Sequence, residues 1–108
     1  MGILVVQTYV VKPEKQEEYK AFLQRWLQFM KENPKEVEEI KSTKMFTQTI
    51  GGVFGGIVEM LEFNSLSDID KYMQKAFKNK EHMKLDKEQE LFTVPGTRSI
   101  SIWSPLEL

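Results

Sequence analysis

The chain has 108 residues, with 15 basic and 16 acidic side chains, and therefore a formal net charge of −1. This length suits one domain, and we predict a single domain over residues 1–108. Hydrophobic residues make up 41% and aromatic residues 11% of the chain, which is typical of globular proteins and excludes collagen-like and disordered classes. The near-zero charge argues against binding to nucleic acid or to anionic lipid.

The composition also limits the kinds of site that the chain can build. It has no cysteine and one histidine, which excludes disulfides, cysteine nucleophiles and the usual zinc sites. The N-terminal segment lacks the basic and apolar regions of a signal peptide, and no apolar stretch is long enough to span a bilayer. We therefore expect a cytoplasmic protein with no membrane partner.

Apolar periodicity predicts a strand followed by a helix at the start of the chain. Residues 3–11 are almost all apolar or β-branched, which indicates a strand that is covered on both faces. Pro13 is suited to the first position of a helix, and Asn33-Pro34 ends the run. Between them, aromatic and aliphatic residues recur at helical spacing.

A β-hairpin is predicted next. Residues 37–50 and 54–63 are rich in β-branched and aromatic residues, and Gly51-Gly52 between them supplies the positive φ of a tight turn. Gly55-Gly56 indicates a bulge or a close approach of two backbones. We expect the two strands to be antiparallel neighbours.

A second helical region and a last strand complete the chain. Ser65 is a predicted N-cap, and a one-sided apolar stripe over residues 66–77 indicates a helix. After a break near Asn79, the charged residues 78–89 predict a looser helical extension. Alternation of polar and apolar residues over 97–104 predicts the fourth strand.

The element order β-α-β-β-α-β predicts an α+β fold of the ferredoxin-like type, a four-stranded antiparallel sheet with its helices on one face. The other face would then be bare and largely apolar, since the first strand is apolar on both sides. A symmetric homodimer in which two sheets pack face to face would cover it. We therefore predict a dimeric α/β barrel.

Three segments of the sequence carry a family resemblance: residues 11–19, where the first strand enters the helix, the Gly51-Gly52 hairpin, and residues 59–66. With these, the chain resembles the dimeric α/β-barrel superfamily, which includes the antibiotic-biosynthesis monooxygenase, stress-responsive barrel and NIPSNAP-like families. The monooxygenase-like members imply cofactor-independent oxygenation of an electron-rich aromatic substrate in a cavity. Many of them carry a histidine on the second helix, and the ninth residue after Phe63, at that position, is Tyr72.

Glu59 is the most unusual residue of the predicted third strand, because the residues beside it are apolar. Burial would raise the pKa of its carboxyl and suit it to general acid or base catalysis. An ion pair or a solvated position at the mouth of the barrel explains the same residue without catalysis. Glu62 points to the opposite face, so the two carboxylates form no dyad. The candidate catalytic residues are Glu59 and Tyr72.

Polar and aromatic side chains of the first and last strands form a candidate ligand site. If Ile100 and Ile102 face the helices, the alternate residues of the last strand face the interior of the barrel. An apolar cleft with a few polar groups is the usual form of a small-molecule site. A filled dimer core is the alternative. The candidate ligand-binding residues are Gln7, Tyr9, Ser99, Ser101 and Trp103.

His82, Asp86 and Glu90 are spaced at i, i+4 and i+8, so one helix face would offer nitrogen and oxygen ligands to a metal. The surrounding charges favour a solvated helix face instead. His82 by itself would suit haem ligation or proton transfer. We predict no metal and no cofactor.

The sequence as a whole predicts a homodimeric α+β-barrel protein that binds a small apolar or aromatic molecule in a sheet-lined cavity. The resemblance adds a monooxygenase-like, cofactor-independent activity. The alternative is a non-catalytic binding or assembly module with a filled core. Higher oligomers would then form through free strand edges or the charged residues 80–90.

Overall fold

The computed structural model describes residues 2–48, 50–52 and 54–107. Four strands form one antiparallel sheet in the order β2-β3-β1-β4: β1 (Ile3–Val10), β2 (Ser42–Thr47), β3 (Gly56–Phe63) and β4 (Ser99–Trp103). Three helices accompany the sheet: α1 (Gln16–Glu32), α2 (Leu66–Lys78) and α3 (Lys80–Gln89). The predicted ferredoxin-like topology is confirmed, and the second helical region is split into two helices.

The helices cover one face of the sheet, which we call the inner face. Tyr9 and Val11 pack there against α1 and α3, in a cluster with Phe22 and Leu85. Leu61 and Phe63 pack against Ile69 and Tyr72 of α2 in a second cluster. Burial of these apolar and aromatic side chains is the main force that holds the helices on the sheet.

Strand register decides which side chains share a face, because residues paired across an antiparallel sheet point the same way. One inner row runs Met45, Glu59, Gln7 and Ile100 across all four strands. The next row, on the opposite or outer face, runs Lys44, Met60, Val6 and Ser101. Glu59 and Gln7 on the two interior strands therefore point towards the helices.

The second strand is shorter than the predicted segment 37–50. It begins at Ser42, and Pro34–Val37 forms a 3-10 helix instead. Val37 and Ile40 pack against the cluster that contains Tyr72 of α2. The Lys75 ammonium also lies 3.6 Å from the carboxylate of Glu38 and 2.8 Å from that of Glu39. These contacts direct the segment towards α2. Thr49 lies outside the described residues.

The glycines between β2 and β3 have the predicted positive φ, but β2 ends at Thr47 and β3 begins at Gly56, so the connection is longer than the predicted tight turn. Gly51 and Gly52 have φ values of 78° and 67°, which side chains rarely adopt. At Gly55 a Cβ atom would lie 2.6 Å from the carbonyl oxygen of Val11, whose N–H donates to the Gly55 carbonyl at 2.9 Å. The close backbone approach is therefore confirmed, and β3 begins after it. Val53 lies outside the described residues.

Side-chain caps begin both helices of the second helical region. The Ser65 hydroxyl accepts the Asp68 N–H at 3.2 Å, which confirms the predicted N-cap. Asn79 separates α2 from α3, and its side-chain oxygen accepts the His82 N–H at 2.9 Å. The predicted break is thus also a cap. Within the described ranges, no helix is both long and apolar enough to cross a membrane.

Candidate functional site

A cavity of about 580 Å³ lies between the inner face of the sheet and the helices. This volume is within the range of small-molecule sites, roughly 300–1,000 Å³. Its sheet wall includes Val5, Gln7, Tyr9, Glu59, Leu61 and Ile100. Its helix wall includes Phe22, Trp26, Tyr72, Ala76, His82 and Asp86.

Exposed apolar side chains mark the opening of this cavity. Met73 and Phe77 of α2 and Met83 of α3 line it and are exposed to solvent. Ile100 of β4 is 59% exposed although it points to the inner face. The edge of the sheet at β4 is therefore left uncovered by the helices, and the cavity opens there.

Glu59 lies at the centre of the sheet wall, on the interior strand β3. Burial raises the pKa of its carboxyl; the positive charge of Arg98 partly opposes this rise, and Asp86 adds to it. Glu62 lies on the outer face and accepts a hydrogen bond from the Ser42 hydroxyl at 2.9 Å. The prediction that these two carboxylates form no dyad is confirmed, and Glu59 alone presents a carboxylate from the sheet to the cavity.

Tyrosine side chains lie around Glu59. Tyr72, 7% exposed, brings its phenol to the same cavity from α2. Its pKa is raised by burial first and then by the negative charge of Glu59. Tyr9 is hydrogen-bonded through its hydroxyl to Tyr19 of α1, and burial raises the pKa of Tyr9 as well. Burial raises the pKa of Tyr19 to about 12, against the effect of its hydrogen bond to Tyr9. All three phenols are therefore neutral donors at physiological pH.

Arg98 connects the sheet to α3 beside the cavity. Its Nε donates to the side-chain oxygen of Gln7 at 2.7 Å, and its Nη2 lies 2.7 Å from a carboxylate oxygen of Asp86. The guanidinium is thus held by two partners from different elements. Sequence reasoning did not select Arg98, because nothing in the sequence shows that a residue just before β4 meets one on α3.

His82 is 7% exposed and lies among aromatic rings, 4.9 Å from the centre of Trp26 and 5.8 Å from that of Tyr72. Burial lowers its pKa, against the opposing effect of Asp86. The lowered pKa favours the neutral imidazole, whose Nδ1 is buried without a hydrogen-bond partner among the described residues. The favoured interpretation of this segment as a solvated helix face was wrong at His82, since α3 also buries Leu85 and Gln89.

The positions of these side chains on α3 do not support the hypothesis of a metal site. His82 is buried, while Glu90 lies beyond the end of the helix and is exposed. Asp86 is paired with Arg98 rather than with His82. In the described part of the chain, no three histidine, aspartate or glutamate side chains converge as a metal site requires.

The predicted ligand-binding residues are divided between the two faces of the sheet. Gln7 pairs with Ile100, and both point to the inner cavity with Tyr9. Ser101 pairs with Val6, and Trp103 pairs with Leu4, on the outer face. Ser99, Ser101 and Trp103 thus face away from the helices as expected, whereas placing Gln7 and Tyr9 with them in one cavity was wrong, because these two follow the opposite phase of the sheet. The expectation that Ile100 faces the helices is confirmed.

The outer face carries a second concavity of about 420 Å³. Leu4, Met60 and Trp103 line it together with Pro105 and Leu106 of the C-terminal segment. Trp103 is 53% exposed, and Phe46 on the same face is 52% exposed. In the described chain the outer face thus has a large apolar area that no helix covers.

No family model and no curated protein matches the sequence. Solved structures do match it. A NIPSNAP family protein from Agrobacterium tumefaciens is 14% identical with a TM-score of 0.76, over 99% of this chain and 95% of that one. A dimeric protein of unknown function with a ferredoxin-like fold, from Bacteroides fragilis, is 14% identical with a TM-score of 0.64, over 94% of both chains.

A third similar structure has a described activity. SnoaB, a cofactor-independent oxygenase from Streptomyces nogalater, is 8% identical with a TM-score of 0.69, over 98% of this chain and 94% of that one. The chain therefore shares the ferredoxin-like fold of these structures. The resemblance seen in the sequence is thereby confirmed at the level of the fold, and it singles out no one family within it.

Proposed function

We propose that this protein binds a small, largely apolar molecule in the cavity on the inner face of the sheet. The single observation that carries the proposal is the cavity of about 580 Å³, which opens at β4 and has Glu59 and Tyr72 in its walls. If this space were only part of the hydrophobic core, side chains would fill it, because protein interiors pack as densely as organic crystals. Apolar walls with a few polar groups provide both affinity and orientation.

Filling the cavity with a larger side chain tests this proposal. Ala76 lines the cavity and is 7% exposed, so Ala76→Phe is expected to place a ring where the ligand would lie. Binding of 1-naphthalenemethanol, measured by calorimetry, should weaken by about tenfold or more, because the new phenylalanine ring would take the place of apolar contacts between the cavity and the naphthalene.

The matched control is Ala21→Phe, which adds the same ring at an exposed position of α1. It should leave binding unchanged. Ala76→Leu is a smaller filling variant to use if the phenylalanine disturbs folding, and thermal unfolding of each variant checks the fold. Equal binding by the parent and both filling variants, or no binding by the parent, would reject this site.

We also propose that the protein is a homodimer built through the outer face of its sheet. Phe46 and Trp103 are half-exposed there, and Leu106 beside them is 84% exposed. Exposed apolar areas of this kind mark interaction surfaces. A two-fold axis would place the same face of a second copy against it, so that each subunit covers the other. The similarity to a dimeric protein of the same fold supports this arrangement.

Cofactor-independent oxygenation is a second candidate function, favoured by the partly buried carboxylate of Glu59 beside a neutral phenol. Glu59 would take a proton from an electron-rich aromatic substrate, and the substrate itself would supply the electrons that reduce dioxygen. The likeness to SnoaB supports this candidate. Dioxygen consumption with hydroxynaphthalenes should exceed that of buffer and be lost in Glu59→Gln. A non-catalytic binding protein would show no such consumption.

A further inference from the structure

The positive and negative charges of the side chains in the cavity wall do not cancel. Glu59 and Asp86 are acidic, and Arg98 is the basic side chain among the described lining residues. Arg98 is already bound to Asp86 at 2.7 Å and to Gln7 at 2.7 Å. The buried His82 supplies no compensating charge, because burial lowers its pKa. Glu59 is therefore left as the excess negative charge of the cavity.

Glu59 also lacks a hydrogen-bond donor within the described residues, in contrast to Glu62 on the same strand, which is bound to Ser42. Glu59 is half-buried, and an unpaired ionised carboxylate that is partly withdrawn from water costs free energy. The cost disappears if a bound molecule brings a positive charge to it. The carboxylate faces the space that the proposed ligand would occupy, so such a charge would belong to the ligand.

The remaining walls suit an organic cation as well. Trp26 and Tyr72 line the cavity, and the faces of aromatic rings attract ammonium groups. Phe22 extends the same aromatic wall on α1. Rings of this kind also bury the hydrocarbon part of a ligand, so one molecule with an amine and an apolar body would use both properties of the cavity.

We propose that the cavity selects a small organic amine whose ammonium group pairs with Glu59 and whose apolar part packs against Trp26 and Tyr72. This inference rests on the proposed binding function and adds the chemical class of the ligand. A carboxylate ligand would instead meet Glu59 with a like charge and find Arg98 already bound to Asp86.

The experiment compares three probes with the same ring system: 1-naphthalenemethylamine, 1-naphthalenemethanol and 1-naphthoate. Calorimetry with the full chain at neutral pH is expected to show the amine binding about tenfold or more tighter than the alcohol, as a charge-assisted hydrogen bond implies. The naphthoate should bind more weakly than the alcohol. As the pH is lowered, the affinity of the amine should fall while that of the alcohol stays constant, because Glu59 becomes protonated.

Glu59→Gln should remove the preference for the amine, so that the amine and the alcohol bind with similar affinity. Glu62→Gln, a change of the same kind on the outer face, should preserve the preference. If the alcohol binds and the amine has no advantage, the choice of an amine is wrong while the binding function stands. If no probe binds, both are wrong. Tightest binding of the naphthoate would assign the cavity to anions through Arg98 and overturn the inference.

Discussion

At about pH 8, the free energy of unfolding of Glu59→Gln is expected to exceed that of the parent protein by about 1 kcal/mol, as removal of an unpaired, half-buried charge implies. The direction follows from the raised pKa of the Glu59 carboxyl in the folded protein, against an ordinary value of 4.5. Above pH 4.5 the Glu59 carboxyl ionises more readily in the unfolded chain than in the folded protein. The free energy of unfolding of the parent therefore falls as the pH rises, until the pH passes the raised pKa. Glutamine has nearly the same shape as glutamate and cannot ionise.

Urea unfolding of both proteins from about pH 4 to pH 8 measures this effect. The stability advantage of Glu59→Gln should be small at the acid end and grow with pH, then level off. Glu62→Gln is the control, since that carboxylate lies on the outer face with the Ser42 hydroxyl as its partner. An advantage that stays constant with pH, or a loss of stability at pH 8, would mean that Glu59 is paired or solvated in the folded protein.

The fold was predictable from the sequence because its signals are local and agree with one another. Runs of apolar, β-branched and aromatic residues placed the first three strands, alternation placed β4, the stripe after Ser65 placed α2, and the paired glycines placed the hairpin. The start of β2 was not predictable in this way. In residues 37–41, Val37 and Ile40 suggested a strand, but they pack against the cluster of α2, and Lys75, far along the chain, binds Glu38 and Glu39. A tertiary contact of this kind overrides local preference.

The candidate site was only partly predictable, and strand register explains the difference. Glu59, Tyr72, Gln7 and Tyr9 were selected from the sequence and do line one cavity. Periodicity gives the alternation within a strand, but it does not show which phase of one strand meets which phase of the next. Gln7 and Tyr9 were therefore assigned to the face of Trp103, although they lie on the inner face. His82 and Arg98 line the cavity because of contacts between elements that are distant in the sequence. The spacing of residues along the chain does not reveal such contacts.

Trp103→Ala is expected to weaken the proposed homodimer by about 30-fold or more, which corresponds to about 2 kcal/mol for a central aromatic interface residue. Trp103 is 53% exposed on the outer face, beside the apolar side chains of Leu4 and Met60. In a pair of sheets packed face to face its ring would be buried against the second copy. Analytical ultracentrifugation over a range of concentrations measures the dissociation constant of each variant.

Ile102→Ala is the matched control for this prediction, because Ile102 is the neighbouring residue of β4 and is 51% exposed. Its register partner is Val5, so its side chain points to the inner face rather than to the proposed interface. If the outer face forms the dimer, Trp103→Ala should raise the dissociation constant and Ile102→Ala should leave it nearly unchanged. The reverse pattern would place the contact between copies at the opening of the cavity, where a second subunit would also control entry of the ligand. A dissociation constant unchanged in both variants would exclude β4 as part of any interface.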